Sequence, residues 1–359
     1  MRGADIAAIE DASHGLRMNA RVIVLTTGGT IEHSSDQAGI AALSFDPADL
    51  RSQLNIADVD IAFRHVLRKG SMDIVPDDWQ ILASAVFEAM AQRPAGVVIL
   101  HGTDTLAYSA SALTFLLGDC GVPVVMTGSM IPGGDPGSEA LANLRDAITV
   151  AARADFAEVC VVFSADPQRS EGTIIRGCRA RKIHSRAINA FASVNSPPLG
   201  RVSGDRILRT ALAARPRGTA QRRVLISFDP NVALIKLTPN MSSGMLARFL
   251  AGCSAAVLEG TGVGHIRTDL QPVVGQFSKP VVISTQAVYG GEQLGCYEVD
   301  RHILALPNVI PGGDMPSEAA LVKLMWALGK GGDIRAIMRT NIAGELGAAI
   351  PEEDFEYPR

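Results

Sequence analysis

Residues 21–30 read RVIVLTTGGT, a short apolar run closed by a hydroxyl-bearing double-glycine turn. Val22, Ile23, Val24 and Leu25 follow one another without polar alternation. Such a run predicts a strand buried on both faces, as in a parallel sheet. Runs of the same kind recur as GVVILH at 96–101, VPVVMT at 122–127, EVCVVF at 158–163, RVLISF at 223–228, AAVLE at 255–259 and PVVIST at 280–285. Between them lie stretches of helical period, over Ala83 to Ala91 (after the polar start Asp77-Asp78-Trp79), Leu113 to Leu117, Ala140 to Ala152 and Ala319 to Leu328. This alternation predicts an α/β protein of βα units with a mostly parallel sheet and right-handed crossovers.

Four runs precede residue 200 and three follow 222, so the expected plan is a larger N-terminal parallel-sheet domain and a smaller C-terminal α/β domain. The boundaries read as an N-terminal extension over 1–19, a first domain over 20–200, an Arg-rich linker over 201–222 and a second domain over 223–359. In that linker stretch a solvated connection stands ahead of a phosphate-binding patch, because basic patches need a folded surface to bind.

Composition narrows the function classes. Aromatic residues make up 5% of the chain, so Ala, Val, Ile and Leu must build the core. With 33 Lys and Arg against 37 Asp and Glu, the net charge of −4 leaves no cation excess for nucleic acid. Five cysteines with no CxxC spacing disfavour a disulfide framework and a zinc site, and the seven histidines show no HExxH spacing. The first twenty residues carry acids and no apolar h-region, and no apolar run approaches eighteen residues. A cytoplasmic protein with no metal, no membrane partner and no nucleic-acid partner is expected.

In an open α/β sheet, ligands gather at the carboxyl ends of strands near the point where strand order reverses. Three predicted strands end in glycine beside hydroxyls: Thr26-Thr27-Gly28-Gly29-Thr30, Gly102-Thr103-Asp104-Thr105 and Gly128-Ser129-Met130. Glycine lets backbone approach a ligand closely, although Gly-Gly after a strand also serves as a plain βα turn. No GxGxxG or GxxxxGK[ST] occurs, and GTGVG at 260–264 imitates a dinucleotide turn only loosely. Capping of the following helix explains one of Thr103 and Asp104, but not the whole group. A hydroxyl nucleophile needs activation. His101 is the one histidine at such an end, and Lys69 and Lys182 are the two lysines ahead of residue 200. A partly desolvated lysine can exchange protons near neutrality.

The segments VIVLTTGGTI and VVILHGTDTLAYSASALTFLLGDCGVPVVMTGSMIP resemble the bacterial L-asparaginase family, and Tyr108 places the likeness nearest the cytoplasmic type I branch. RKIHSRAINAFASVNSPPLG is similar to the family segment that carries a catalytic lysine, and the stretch from STQAVYGGEQ to LMWAL is similar to its small second domain. The resemblance covers about residues 20 to 330 and implies the asparaginase/glutaminase-like fold. It implies hydrolysis of the side-chain amide of L-asparagine to L-aspartate and ammonia through a β-aspartyl-enzyme ester, with glutaminase action as a side activity and no cofactor. Thr30 would be the nucleophile, and Thr103, Asp104 and Lys182 a second hydroxyl relay. Gly29, Ser71, the Met72 backbone, Thr103, Asp104 and the Ser129 backbone would bind substrate, with Asp104 on its ammonium and Ser71 on its carboxylate. Backbone amides at the Gly28–Thr30 and Thr103 turns would form the oxyanion hole. The family also implies a homo-oligomer, a dimer or a tetramer, with each site closed by a neighbour's second domain.

The chain departs from the family pattern at three places. The loop over 31–45, IEHSSDQAGIAALSF, lacks the tyrosine that assists proton transfer, so His33, Ser34, Ser35 or another element substitutes, or activity is low. The family's S-x-G reads Ser138-Glu139-Ala140, and Glu259 stands where enzymes with a regulatory asparagine site carry arginine. Two other readings are an aspartate- or asparagine-binding homologue without catalysis, and the amidase subunit of a tRNA-dependent amidotransferase. The net charge and the roughly twenty residues ahead of the first strand disfavour the second of these.

Overall fold

The structure, a computed structural model, describes residues 20–35, 41–43, 53–54, 56–218 and 227–347. They fall into two compact units, one holding the residues up to 193 together with 197–218, the other 194–196 and the residues from 227 on. The extension expected at 1–19 lies outside the described residues, as does all but the end of the strand expected at 223–228.

The first unit opens with β1 (Ala20–Thr26), β2 (His33–Ser35), β3 (Ala41–Leu43), β4 (Val59–His65), α1 (Pro76–Met90), β5 (Gly96–Leu100) and α2 (Leu106–Leu117). It continues with β6 (Val124–Thr127), α3 (Ala140–Arg153), β7 (Val159–Ser164), β8 (Gly172–Arg176), β9 (Ala180–Lys182), β10 (Phe191–Ser193), β11 (Gly200–Ser203) and β12 (Arg206–Arg209). Eight of these strands form one sheet in the order β12-β11-β8-β7-β6-β5-β1-β4. The five strands from β4 to β7 in that order run parallel, whereas β8, β11 and β12 add antiparallel ladders at one edge. The chain passes from β1 to β4 on one side and then to β5 on the other, so the strand order reverses beside β1. The switch-point crevice therefore lies at the carboxyl ends of β1 and β5, where TTGGT and HGTDT emerge.

The central strands are apolar because both faces are covered. Val22, Val24, Val98, Leu100, Val125 and Val162 share a core with Leu144, Ala147, Ile148 and Ala151 of α3. Their alternates Ile23, Leu25, Val97 and Ile99 are equally buried. β4 was not expected, since its VDIAFRH sequence mixes charge into an edge strand that is only partly covered.

Over its described part the Arg-rich stretch is built into the first sheet and is not a free connection. Residues 200–209 form the β11–β12 hairpin, antiparallel to β8. The described arginines beyond it, Arg215 and Arg217, are engaged by carbonyls and an acid. Arg215 donates to the Gly118 carbonyl that ends α2 (2.8 Å), and Arg217 donates to the Ala154 carbonyl that ends α3 (2.7 Å) and to the Ala95 carbonyl ahead of β5. The buried Arg176 grips Glu158 at 2.7 and 3.0 Å and reaches the Ala213 carbonyl at 2.7 Å. Helix C-termini leave carbonyls unpaired and carry partial negative charge, so a guanidinium there answers both needs.

Asp146, on α3, is pressed against β8 and β11: its Oδ2 lies 2.6 Å from where a Cβ on Gly172 would stand. Burial pushes its carboxyl up to about 7, with Arg145 opposing. The folded chain thus holds a proton that the unfolded chain releases above about pH 4, so this residue's contribution to stability falls between about pH 4 and 7 and stays lowered above. Asp146→Asn is expected to raise stability at pH 8 by roughly 1–2 kcal/mol and to leave it unchanged near pH 4. Melting curves at the two pH values check it.

The second unit comprises β13 (Val232–Lys236), α4 (Ser243–Leu250), β14 (Ala255–Gly260), α5 (Gln271–Gln276), β15 (Val281–Thr285), α6 (Asp300–Leu304), β16 (Val309–Pro311), α7 (Ser317–Lys330) and α8 (Ile334–Arg339). Its four strands are parallel and follow chain order. Lys323 and Glu345 pair at 2.6 Å with both side chains fully buried. Lys323 also donates to the Met338 and Thr340 carbonyls, and Glu345 accepts the Ile342 and Ala343 amides, so this buried pair is well satisfied. The GTGVG segment is a tight turn closed by the His265 amide on the Thr261 carbonyl (2.8 Å), with Gly264 packed against Glu292. From the strap at 194–196, Asn195 donates to the Asp314 carbonyl (2.9 Å) and accepts the Gly290 amide (2.8 Å).

No helix among the described residues is long and apolar enough to cross a membrane. No group of three or more His, Cys, Asp or Glu among them could hold a metal ion.

Candidate active site

Three strand ends of the first unit interlock through missing side chains. After β1 the chain turns through Gly28 (φ +89°) and Gly29 (φ +95°), a backbone region that favours glycine. A Cβ on Gly29 would lie 2.6 Å from the backbone N and Cα of Gly102, after β5. A Cβ on Gly102 would lie 2.6 Å from Ser71 Oγ, and one on Gly128, after β6, 2.3 Å from the His101 carbonyl. The three glycine-and-hydroxyl motifs therefore meet in one place because none of these glycines carries a side chain.

Lys182 ends β9 and brings its ammonium into that place from a distant part of the chain. Its Nζ donates to Thr103 Oγ1 at 2.8 Å and to Asp104 Oδ1 at 2.9 Å. The Lys182 side chain is 20% exposed and that of Asp104 61%, so the cluster is reachable from solvent. A hydroxyl that accepts from an ammonium has its own proton free to turn elsewhere, and its alkoxide form is stabilised. The other early lysine goes elsewhere: Lys69 grips both oxygens of the buried Asp78, at 2.8 and 2.9 Å.

Ser71 joins the same cluster. It is buried, its Oγ accepts the Asp104 amide (3.2 Å), and its carbonyl accepts the Thr105 hydroxyl (2.6 Å). Its hydroxyl proton remains available to a carboxylate. Met72, next along, has a side chain open to water. Ser129 is fully buried and its Oγ has no hydrogen-bond partner among the described residues. Thr30 begins a short 3-10 turn over Thr30–Glu32 directly after Gly29, while its side chain lies outside the described part of the structure. Of the loop over 31–45 that lacks a tyrosine, 36–40 and 44–45 lie outside the described residues, as do the side chains of His33, Ser34 and Ser35.

One expectation needs correcting. The Gly28 amide donates to Glu32 Oε1 at 3.0 Å, so it is committed within its own turn and is not a donor to an oxyanion.

Behind the cluster stand groups that the sequence did not single out for this role. His101 is fully buried; its Nδ1 meets the Gly102 carbonyl at 2.7 Å and its Nε2 meets Ser109 Oγ at 3.0 Å, which accepts from Trp79 Nε1 at 3.0 Å. A carbonyl only accepts, so Nδ1 carries the proton and Nε2 takes the serine's. Burial depresses the pKa of His101, in keeping with this neutral form and against a role as a surface base. Glu139, fully buried, accepts the Met130 and Ile131 amides, and Asn143 donates to the Gly128 carbonyl at 2.9 Å. These two hold the third turn from outside. The acid just ahead of the helical run at 140–152 was the one legible signal for this brace. Burial pushes the Cys120 thiol up to about 12 and raises Cys160 as well, so neither supplies a thiolate nucleophile.

Residues 21–212 match the sequence model of the family described as Asparaginase, N-terminal, and residues 231–340 that described as Glutaminase/Asparaginase C-terminal domain. The chain belongs to the asparaginase family. It is 43% identical over 339 residues to an L-asparaginase of Thermococcus kodakarensis, covering 91% of this chain and 99% of that one. The solved structure of the thermostable L-asparaginase from Thermococcus kodakarensis superposes with a TM-score of 0.83 at 41% identity, over 92% of this chain and 100% of that one. A glutamyl-tRNA(Gln) amidotransferase subunit of Halobacterium salinarum is 37% identical over 341 residues, 90% of this chain and 79% of its own length. The asparaginase-family fold expected from the sequence, a larger sheet domain and a smaller α/β domain, is the fold observed.

Proposed function

We propose that this asparaginase-family chain is an L-asparaginase that releases ammonia from the side-chain amide of L-asparagine. The observation that carries the reading is the Lys182 ammonium at the switch point of the sheet, within hydrogen-bond reach of both the Thr103 hydroxyl and the solvent-open Asp104. The 43% identity to an L-asparaginase supports the same substrate.

In this reading the Thr30 hydroxyl oxygen attacks the amide carbon, and its proton leaves on the departing nitrogen. Collapse of the tetrahedral intermediate expels ammonia and leaves a β-aspartyl ester on Thr30. Thr103, held by Lys182, assists a water that adds to the ester; its proton returns to Thr30 and L-aspartate departs. Asp104 receives the substrate ammonium. The Ser71 hydroxyl and Met72 backbone receive its α-carboxylate, and Gly29 and the Ser129 backbone line the amide. None of these steps calls on a metal or cofactor. A homo-oligomer, dimer or tetramer, working in the cytoplasm belongs to the same proposal, and sedimentation of the purified protein tests the assembly.

Steady-state ammonia release from L-asparagine, L-glutamine and D-asparagine tests the function. The expected ranking places L-asparagine first in kcat/KM, with L-glutamine at least about tenfold lower, since one extra methylene displaces the amide from a fixed nucleophile. A protein that binds L-aspartate in a calorimeter but releases no ammonia from any of the three would be a binding homologue instead.

A further inference from the structure

Glu32 is 2% exposed, yet it sits two residues after the residue read as the nucleophile. Two hydrogen bonds close the turn that contains Thr30. The Glu32 amide donates to the Gly29 carbonyl at 2.9 Å, and the Glu32 carboxylate reaches back to accept the Gly28 amide at 3.0 Å. Between these closures Gly28 and Gly29 both hold positive φ, with Gly28 backed against the Lys69 backbone and Gly29 against Gly102. A backbone amide in a dry site needs an acceptor, and removing this one would leave the Gly28 amide unsatisfied.

We propose that Glu32 is a positioning residue: its side-chain oxygen, by holding the Gly28 amide, fixes the 28–32 turn and with it the direction from which Thr30 meets the substrate. The effect belongs to the acceptor oxygen and does not require the negative charge. This inference rests on the reading of Thr30 as nucleophile given above.

Three variants separate the possibilities. Glu32→Gln keeps an acceptor oxygen at the same reach, Glu32→Asp keeps the charge but is one methylene too short, and Glu32→Ala keeps neither. Exchange of the Gly28 amide, followed in protein labelled with 15N-glycine, reports the hydrogen bond directly, and kcat and KM on L-asparagine report its consequence. In Glu32→Gln the Gly28 amide is expected to stay protected as in the wild type, with kcat within about threefold. In Glu32→Asp and Glu32→Ala protection is expected to be lost and kcat to fall by about 10- to 100-fold, the scale of a nucleophile displaced by about 1 Å, with KM changed less than about threefold. If Glu32→Ala does not fold, the contrast between Gln and Asp decides alone. Wild-type kcat or wild-type Gly28 protection in Glu32→Asp overturns the proposal, and so does a Glu32→Gln enzyme as slow as Glu32→Asp. A wild-type protein that releases no ammonia from L-asparagine would remove the asparaginase reading, while the exchange of Gly28 would still test the turn.

Discussion

Lys182→Met is expected to lower kcat on L-asparagine by about 10³-fold, the range that a positioned proton-transfer group supplies. Methionine keeps the apolar stem of the side chain and removes the nitrogen that lies 2.8 Å from Thr103 Oγ1 and 2.9 Å from Asp104 Oδ1. Thr103→Val keeps the shape of the threonine and removes the other end of that hydrogen bond, and its loss should match. Groups that act as one unit are strongly non-additive, so the double variant is expected to lose no more than either single one. Losses that multiply in the double variant would mean that the two residues act independently, and the relay would be wrong. Thr30→Ala should fall furthest, on the order of 10⁴-fold, because it removes the atom that carries the acyl group. Lys182→Arg is not expected to rescue, since a planar guanidinium is too broad for the same position.

Gly29→Ala is the second large effect, and it falls on stability. The new methyl would stand 2.6 Å from the Gly102 backbone N and Cα, at a φ of +95° that alanine does not adopt readily. Backbone on the opposing side cannot rotate away as a side chain could. A cost of at least about 3 kcal/mol is expected, which lowers the first unfolding transition by roughly 6–12 °C. Calorimetry of the variant checks it. An unchanged transition would show that the β1 and β5 turns have room between them and that their glycines serve only the substrate.

How much of this was legible beforehand depends on what each residue had to do. β1, β5, β6, β7, β14 and β15 announced themselves because burial on both faces demands uninterrupted apolar residues. β11 and β12 did not, because a GRVS–RILR hairpin at a sheet edge needs only half its residues apolar and reads like a charged loop. The glycine turns were legible as strand ends that meet, whereas scarcity marked Lys69 and Lys182 alike and only the family resemblance chose between them. Without that resemblance the residues could not pair Lys182 with Thr103, since 79 positions separate them and only the fold brings them together. Glu32 escaped for a related reason, and so did the bracing roles of Glu139 and His101, whose positions alone were noticed. A buried polar group reveals its purpose through what it touches, and the Gly28, Met130 and Gly102 backbone atoms they hold carry no sequence signature.

The strap at 194–196 has a consequence for any attempt to treat the halves of this chain as interchangeable modules. The polypeptide leaves the first unit after 193, passes three residues through the second, and returns to supply β11 and β12 before crossing over for good. A splice at 193 would deprive the first sheet of its last two strands. A splice after 218 would carry Asn195 away with the wrong half, stripping the Gly290 amide and the Asp314 carbonyl of their partner. No single crossover point yields two whole parts, so chimaeras between relatives should succeed only when the strap is exchanged together with the C-terminal half it serves.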